Sequence, residues 1–405
     1  MKIGYWLGEF QASPHFGGVS SYTWRVLDML LSKSNSSKLD IVILCSSEAY
    51  NYCIELIRKY NAKAEVRIIP KKFSIISRVA NKFGIILSKL IVNFKSVEPN
   101  IKFFNYWYQW FSSLNIDLLY VPYQTPPSYD LPFPFIVTMH DVQELHYPEF
   151  FKPQERAWRA ENYWKSLELS KAVIVSFKHV KQDLIKYFHL SDSKINICPL
   201  PYEKTSLTPH TLEQEAIYQQ KYAHLKNFIL YPAQAWQHKN HLALIKAAEL
   251  IKEQFNRDIT IVFTGNINIP FFKTIQDYIE KSVVAEQLHF LGVVPQTELY
   301  WLYKNCSLVV IPTLYEAGSF PLLEAMSLKA PVICSNVTSL PDTIGDLHFT
   351  FNPRNIEQMA NLIIQNIDNI QLRTSNIQNS EQRIKQLASI NSFEYFLDVF
   401  TKALL

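Results

Sequence analysis

A chain of 405 residues with a formal charge of +4 and 19% charged side chains is too weakly basic to grip a nucleic-acid backbone. Its 48% hydrophobic content is ample for buried cores, and a span of about 100–200 residues per domain predicts two of them. The five cysteines, Cys45, Cys53, Cys198, Cys306 and Cys334, show neither C-x-x-C nor Cys/His ligand spacing, which argues against a disulfide framework or zinc module and suits a reduced, cytoplasmic compartment.

The amino-terminal MKIGYWLGEF lacks a basic stretch followed by a long apolar run, so no secretory leader is expected. No window approaches the ~20 apolar residues that span a bilayer. Ile3–Trp6 reads as an opening strand, followed by a loop with Gly17-Gly18 and an amphipathic helix from about Ser20 to Ser32. Glycines before a helix let the backbone approach an anion closely, although a plain turn has the same signature. Further strands are expected at DIVILC (from Asp40) and from Ala64 to Ile69, with a helix between them.

The stretch from Lys71 to Asn115 breaks this rhythm. Ile76, Val79, Phe83, Leu87, Leu90 and Phe94 recur at helical spacing, and the aromatic run FFNYWYQWF follows. From Arg67 to Ile116 there are eight basic residues against Glu98 alone. Such a basic amphipathic helix beside exposed aromatics can lie on an anionic membrane surface. Two packed helices with a solvated basic edge would read the same way.

Strands at DLLYV (from Asp117) and FIVTM (from Phe135) come next, and the second runs into His140-Asp141. A histidine at the carboxyl end of a parallel strand faces the crevice where open α/β sheets bind ligands. Glu144 and His146 follow on the same loop, and His146 is expected to orient it. Pro199–Asn227 is polar, proline-bearing and free of strand signals, and reads as the interdomain connection. The second half begins with a strand near Phe228–Tyr231, then Gln234 and Lys239 just ahead of a helix. An ammonium there can share a diphosphate with helix N-terminal amides. Another strand ends at Thr264-Gly265, and a further one turns at Gly292-Val293.

The most informative stretch is CSLVVIPTLYEAGSFPLLEAMSLKAPVICS, from Cys306. Leu308–Ile311 is a buried strand; Glu316 and Gly318 lie on the loop after it. Ser319 can cap a helix whose first turn carries Phe320, Pro321 and Leu322, and Glu324 follows on that helix. Two sets of βα units imply an α/β protein with two Rossmann-like domains facing across a cleft.

These residues resemble retaining GT-B glycosyltransferases, family 4 (glycosyl transferases group 1). Glu316 and Glu324 stand at the spacing of that family's E-x7-E motif. Gly17-Gly18, His140-Asp141, Tyr147-Pro148-Glu149 and Lys239-Asn240 match in family order along nearly the whole chain. The resemblance implies an acceptor-side domain over 1–200, a linker over 201–226, a nucleotide-sugar domain over 227–385, and a C-terminal helix over 386–405 that crosses back to the first domain. It implies a hexose-type donor, a saccharide or lipid-linked acceptor in bacterial surface-polysaccharide synthesis, and no metal or other cofactor.

The same resemblance makes His140 and Glu316 catalytic and assigns donor contacts to Gly17, Gly18, Gln234, Lys239, Gly265, Gly292, Val293 and the run from Gly318 to Leu322. Glu324 would take ribose hydroxyls, and Asp141 and Glu144 would lie on the acceptor side. Gln234 stands where the family commonly has arginine, so Lys239 is expected to carry more of the diphosphate charge. A GT-B epimerase, a phosphorylase and a non-catalytic partner subunit are the competing readings.

Overall fold

The computed structural model describes residues 1–8, 18–70, 106–202 and 207–405. The basic helix expected after Lys71 lies outside them, as does Gly17. The chain forms two compact units, Met1–Pro201 with Asn391–Leu405, and Tyr202–Ile390.

Among the described residues, unit 1 holds seven strands: β1 (Lys2–Gly8), β2 (Asp40–Cys45), β3 (Ala64–Ile68), β4 (Leu118–Val121), β5 (Phe135–Thr138), β6 (Ala172–Val175) and β7 (Ile195–Ile197). They run parallel in the order β3-β2-β1-β4-β5-β6-β7. Helices cover both faces, so the strands are apolar on both sides rather than alternating with polar residues. Ile3, Tyr5, Ile41 and Ile43 enter the core on one face, whereas Trp6, Val42 and Leu44 enter the other, as the two-residue period of a strand requires.

The helix Ser392–Leu404 returns to the first of these faces. Phe393, Phe396, Phe400 and Ala403 form one stripe at helical spacing and are buried there. The Phe396 and Phe400 rings lie 5.9 and 5.3 Å from that of Tyr120 on β4.

The opposite face is covered in part by the helix Tyr106–Ser112. Trp107 and Phe111 are one turn apart and stack at 5.6 Å. Both pack near Trp6, at 6.0 and 5.9 Å, and Phe111 is fully buried. The described part of the aromatic run is therefore core packing, not an exposed aromatic surface.

Unit 2 holds β8 (Ile229–Pro232), β9 (Ile261–Thr264), β10 (Leu288–Phe290), β11 (Leu308–Ile311), β12 (Val332–Ser335) and β13 (Thr350–Phe351), parallel in the order β10-β9-β8-β11-β12-β13. Much of the stretch read as a connection belongs to this unit. A capping box of Thr211 and Gln214 starts the helix Leu212–Lys221. Tyr218 and Tyr222 are buried in the unit 2 core, and Lys221 Nζ lies 2.7 Å from the buried Glu298, to which Tyr222 also donates.

In each sheet the connections run one way on one side of a central pair and the other way beyond it. That switch falls between β1 and β4 in unit 1 and between β8 and β11 in unit 2. The loops leaving the carboxyl ends of such a pair diverge and leave room for a ligand.

Candidate active site

In unit 2 the loops after β8 and β11 carry Lys239 and Glu316. The first loop closes on a single 3-10 turn, Gln237–Lys239, followed by Asn240 in the left-handed conformation at φ 60°. Asn240 Nδ2 donates to the Pro312 and Pro353 carbonyls at 2.9 and 3.1 Å. The His238 carbonyl accepts from Leu314 N at 2.8 Å and Thr313 Oγ1 at 3.0 Å. Tyr231 OH donates to the Lys239 carbonyl at 2.7 Å. Held this way, the loop brings Lys239 Nζ to 3.0 and 2.7 Å from the two Glu316 carboxylate oxygens.

Both side chains of that pair are mostly buried, at 19% and 10% exposure, so the pair is less screened than a surface bridge. Burial pushes the neighbouring His238 down to about 2 and His241 down to about 3, each with help from the Lys239 charge. At neutral pH Lys239 therefore supplies the positive charge of this turn.

The helix Phe320–Ser327 begins as its sequence predicts. Ser319 Oγ accepts from Leu322 N at 3.3 Å, and Pro321 sits in the first turn, where no N–H is needed. Glu324 lies one turn further on, and its Oε2 accepts from the buried Tyr303 OH at 3.0 Å. Burial and the Glu324 charge both push the Tyr303 phenol well above its usual range, which keeps it a donor.

The loops after β9 and β10 close beside that of β8. Gly265 has φ 119°, a side chain there would place a Cβ 2.6 Å from the Ala233 carbonyl oxygen, and its N–H donates to the Gly292 carbonyl at 2.8 Å. Only glycine fits such an approach. Gly292, at φ 69°, has open space where a Cβ would stand, and Val293 is 77% exposed. Gln234, next to Ala233, accepts from Trp236 Nε1 through its Oε1 at 2.8 Å.

In unit 1, His140 follows β5 and its Nε2 lies 3.0 Å from the Pro122 carbonyl at the end of β4. A carbonyl only accepts, so Nε2 carries the hydrogen and Nδ1 is left as an acceptor. Burial pushes His140 down to about 4, so it is neutral at pH 7. Its ring meets Tyr22 edge-on at 4.6 Å, and the Tyr22, Tyr120 and Thr138 hydroxyls join below it at 2.7–3.3 Å.

Asp141 is half-buried beside His140. Glu144 is buried, its carboxyl raised by that burial, and Arg159 Nη1 lies 3.3 Å from its Oε2. His146 Nε2 lies 2.8 Å from Asp183 Oδ2, which ties its loop to the helix Lys178–Phe188. Gly18 opens the helix Gly18–Lys33, with open space at its Cβ position.

The structure thus joins Lys239 to Glu316, places Ser319, Leu322 and Glu324 on one helix start, and packs Gly265 on Gly292. Gly318 and Phe320 flank Ser319 and are half-buried. Sequence reasoning missed the hydroxyl partners Tyr22, Tyr303, Thr338 and Ser339. The last two hold the Glu316 backbone: Thr338 Oγ1 accepts from Glu316 N at 3.1 Å and donates to Glu316 O at 2.7 Å. Ser339 Oγ donates to the same carbonyl at 3.1 Å.

Two parallel doubly wound sheets, with an ammonium and two carboxylates on the loops and helix start at one switch point, define a GT-B glycosyltransferase architecture. The profile of "Glycosyl transferases group 1" matches residues 213–383 and that of "Glycosyltransferase Family 4" matches residues 16–203. The chain belongs to this family. It is 24% identical over 237 residues to O-antigen chain mannosyltransferase B of Escherichia coli, across 57% of this chain and 61% of that protein.

It is also 27% identical over 241 residues to the serotype-specific mannosyltransferase WbdA of Escherichia coli, across 58% of this chain and 29% of that protein. The alignments therefore span less than two thirds of these relatives. Among solved structures, Anabaena Alr3699/HepE in complex with UDP and glucose superposes with a TM-score of 0.68 at 15% identity, over 99% of each chain.

Proposed function

We propose that this protein is a retaining glycosyltransferase that moves a hexose, mannose by analogy with its relatives, from a nucleoside-diphosphate sugar to a saccharide or lipid-linked saccharide. The observation that carries this reading is the Lys239 ammonium set against Glu316 at the unit 2 switch point. A leaving diphosphate needs fixed positive charge and amide donors, and Lys239 with the backbone amides that open the helix after Ser319 would supply them without a metal. Glu316 would hold donor-sugar hydroxyls and offset the positive charge that grows at the anomeric carbon as its bond to the diphosphate oxygen breaks.

Glu324, steadied by Tyr303, would accept from the ribose diol. Gly265, Gly292 and Val293 would border the base, and Gln234 would donate to the diphosphate without adding charge. In unit 1, His140 would accept a sugar hydroxyl through Nδ1; Gly17 and Gly18 would approach the donor, and Asp141 and Glu144 would shape the acceptor side. The relatives' names point to mannose transfer in bacterial O-antigen assembly, and we place that step on the cytoplasmic side of the membrane. Of the run over 71–115, the basic residues from Lys71 to Lys102 would then hold the protein peripherally on anionic lipid.

The test is to incubate the protein with GDP-mannose, UDP-glucose and other nucleotide sugars, with and without a lipid-linked saccharide. Release of nucleoside diphosphate only when acceptor is present, unchanged by EDTA, and a product of the donor's anomeric configuration are expected. Altered sugar nucleotide without acceptor would instead make it an epimerase, and full activity in Glu316→Ala would remove the role given to Glu316. Failure to float with anionic liposomes at low salt would remove the membrane arm.

A further inference from the structure

A loop carboxylate does not stay in a productive position without support, and a misplacement of about 1 Å costs about a hundredfold in rate. The support for Glu316 comes from the loop after β12, through a residue in an unfavourable conformation. Thr338 has φ 50°, and a β-branched side chain in the left-handed region is a genuine steric outlier that persists only where its surroundings fix it. Here they do. Its single hydroxyl accepts from the amide before the Glu316 Cα and donates to the carbonyl after it, at 3.1 and 2.7 Å.

Ser339 Oγ adds a second donor to that carbonyl at 3.1 Å. Ser335 Oγ, at the end of β12, donates to the Thr313 carbonyl at 2.6 Å and holds the start of the same loop. Fixing the peptide planes on both sides of Glu316 fixes the direction in which its side chain leaves the backbone. That direction leads to Lys239.

We propose that Thr338 is a positioning residue for sugar transfer: its hydroxyl, presented from a left-handed backbone, sets the Glu316 carboxylate in its working place. This rests on the reading of Glu316 as the group that holds the donor sugar. Glycine would adopt this backbone more readily but could not make these two bonds, so the hydroxyl is what threonine adds here.

The test compares the wild type with Thr338→Ser, Thr338→Val and Thr338→Gly, measuring kcat, donor KM, nucleoside diphosphate affinity by calorimetry, and Tm. Val keeps the shape and loses the hydroxyl; Gly relieves the backbone and loses the hydroxyl; Ser keeps the hydroxyl. Thr338→Val and Thr338→Gly are expected to lose about tenfold or more in kcat. Their affinity for the nucleoside diphosphate, which does not reach the sugar position, should not fall, and any gain from a loosened Lys239–Glu316 pair should stay below that of Glu316→Gln. Thr338→Ser should restore most of kcat, and Thr338→Gly should melt close to the wild type.

Wild-type kcat in Thr338→Gly or Thr338→Val, beside an inactive Glu316→Ala, overturns the positioning role alone. So does a loss that serine does not restore or that tracks nucleotide affinity. An active Glu316→Ala overturns the role of Glu316 and the proposal with it.

Discussion

Lys239 spends two of its three N–H donors on the Glu316 oxygens, at 3.0 and 2.7 Å, where the proposed reaction would use them on a diphosphate. On the proposed reading, donor binding hands the lysine from carboxylate to phosphate, which releases the carboxylate for sugar hydroxyls. Glu316→Gln is therefore expected to bind nucleoside diphosphate about fivefold more tightly than the wild type, since a mostly buried pair is worth about 1 kcal/mol or more. The gain should shrink in a Lys239→Met background; calorimetry on the four proteins measures this coupling, and equal gains in both backgrounds would mean simple charge repulsion. A second residue-scale prediction concerns acid. His241 is 1% exposed and titrates at about 3, driven by burial, against about 6.5 in an unfolded chain. Between those values the unfolded chain takes a proton that the folded one does not, so stability falls as pH falls. The loss is about 2 kcal/mol between pH 6.5 and 5. The His241 ring packs 5.5 Å from Phe263 and its Nδ1 has no partner among the described residues, so His241→Phe should flatten that slope in denaturant titrations. At this scale the E-x7-E spacing, His140 and Lys239 were legible because local sequence sets them. Thr338 and Tyr303 were not, because each reaches its glutamate from a different βα unit, 22 and 21 residues away.

Buried parallel strands announce themselves as short apolar runs, and this explains why the βα elements were readable along both units. The helix Leu212–Lys221 was missed because it lies on the outside of its unit: Tyr218 is its one buried residue, too little for an amphipathic stripe, so the local signal was the Thr211/Gln214 capping box rather than periodicity. The aromatic run left two readings open, and its described part takes the packed one. Trp107 and Phe111 fill the space against Trp6, and a sequence of tryptophans alone does not say which side of a helix meets a sheet. The helix Phe320–Ser327 offers the clearest element-scale test. Ser319→Ala removes its N-cap bond and is expected to cost about 1 kcal/mol in thermal unfolding. Tyr303→Phe removes the hydroxyl that steadies Glu324 without altering the packed ring. It should weaken nucleoside diphosphate binding more than the corresponding deoxyribose analogue's binding, because the ribose contact is the one proposed for Glu324. An equal loss for both nucleotides would assign Tyr303 to packing alone.

The chain leaves unit 1 at Pro201, builds unit 2, and returns to finish unit 1 with its last fifteen residues. That path makes the two units unequal in independence. Unit 2 is one continuous stretch with its own sheet and core, whereas unit 1 draws Phe393, Phe396 and Phe400 into its core, the last two against Tyr120. Burying a phenylalanine side chain contributes roughly 1.5–3 kcal/mol, and losing three at once approaches the whole stability of a domain, about 5–15 kcal/mol. The fragment 1–201 alone is therefore expected to be poorly folded, and Phe400→Ala in the full chain to cost about 3–5 kcal/mol in the unfolding of unit 1. The fragment 202–390 should fold cooperatively by itself, as circular dichroism during heating would report. It also contains Lys239, Ser319 and Glu324, the groups assigned to the nucleotide. If that assignment is right, the fragment binds nucleoside diphosphate within about threefold of the full chain's affinity, which is under 1 kcal/mol, yet transfers no sugar because His140 is missing. A folded fragment that had lost nucleotide binding would move the donor's main contacts to unit 1.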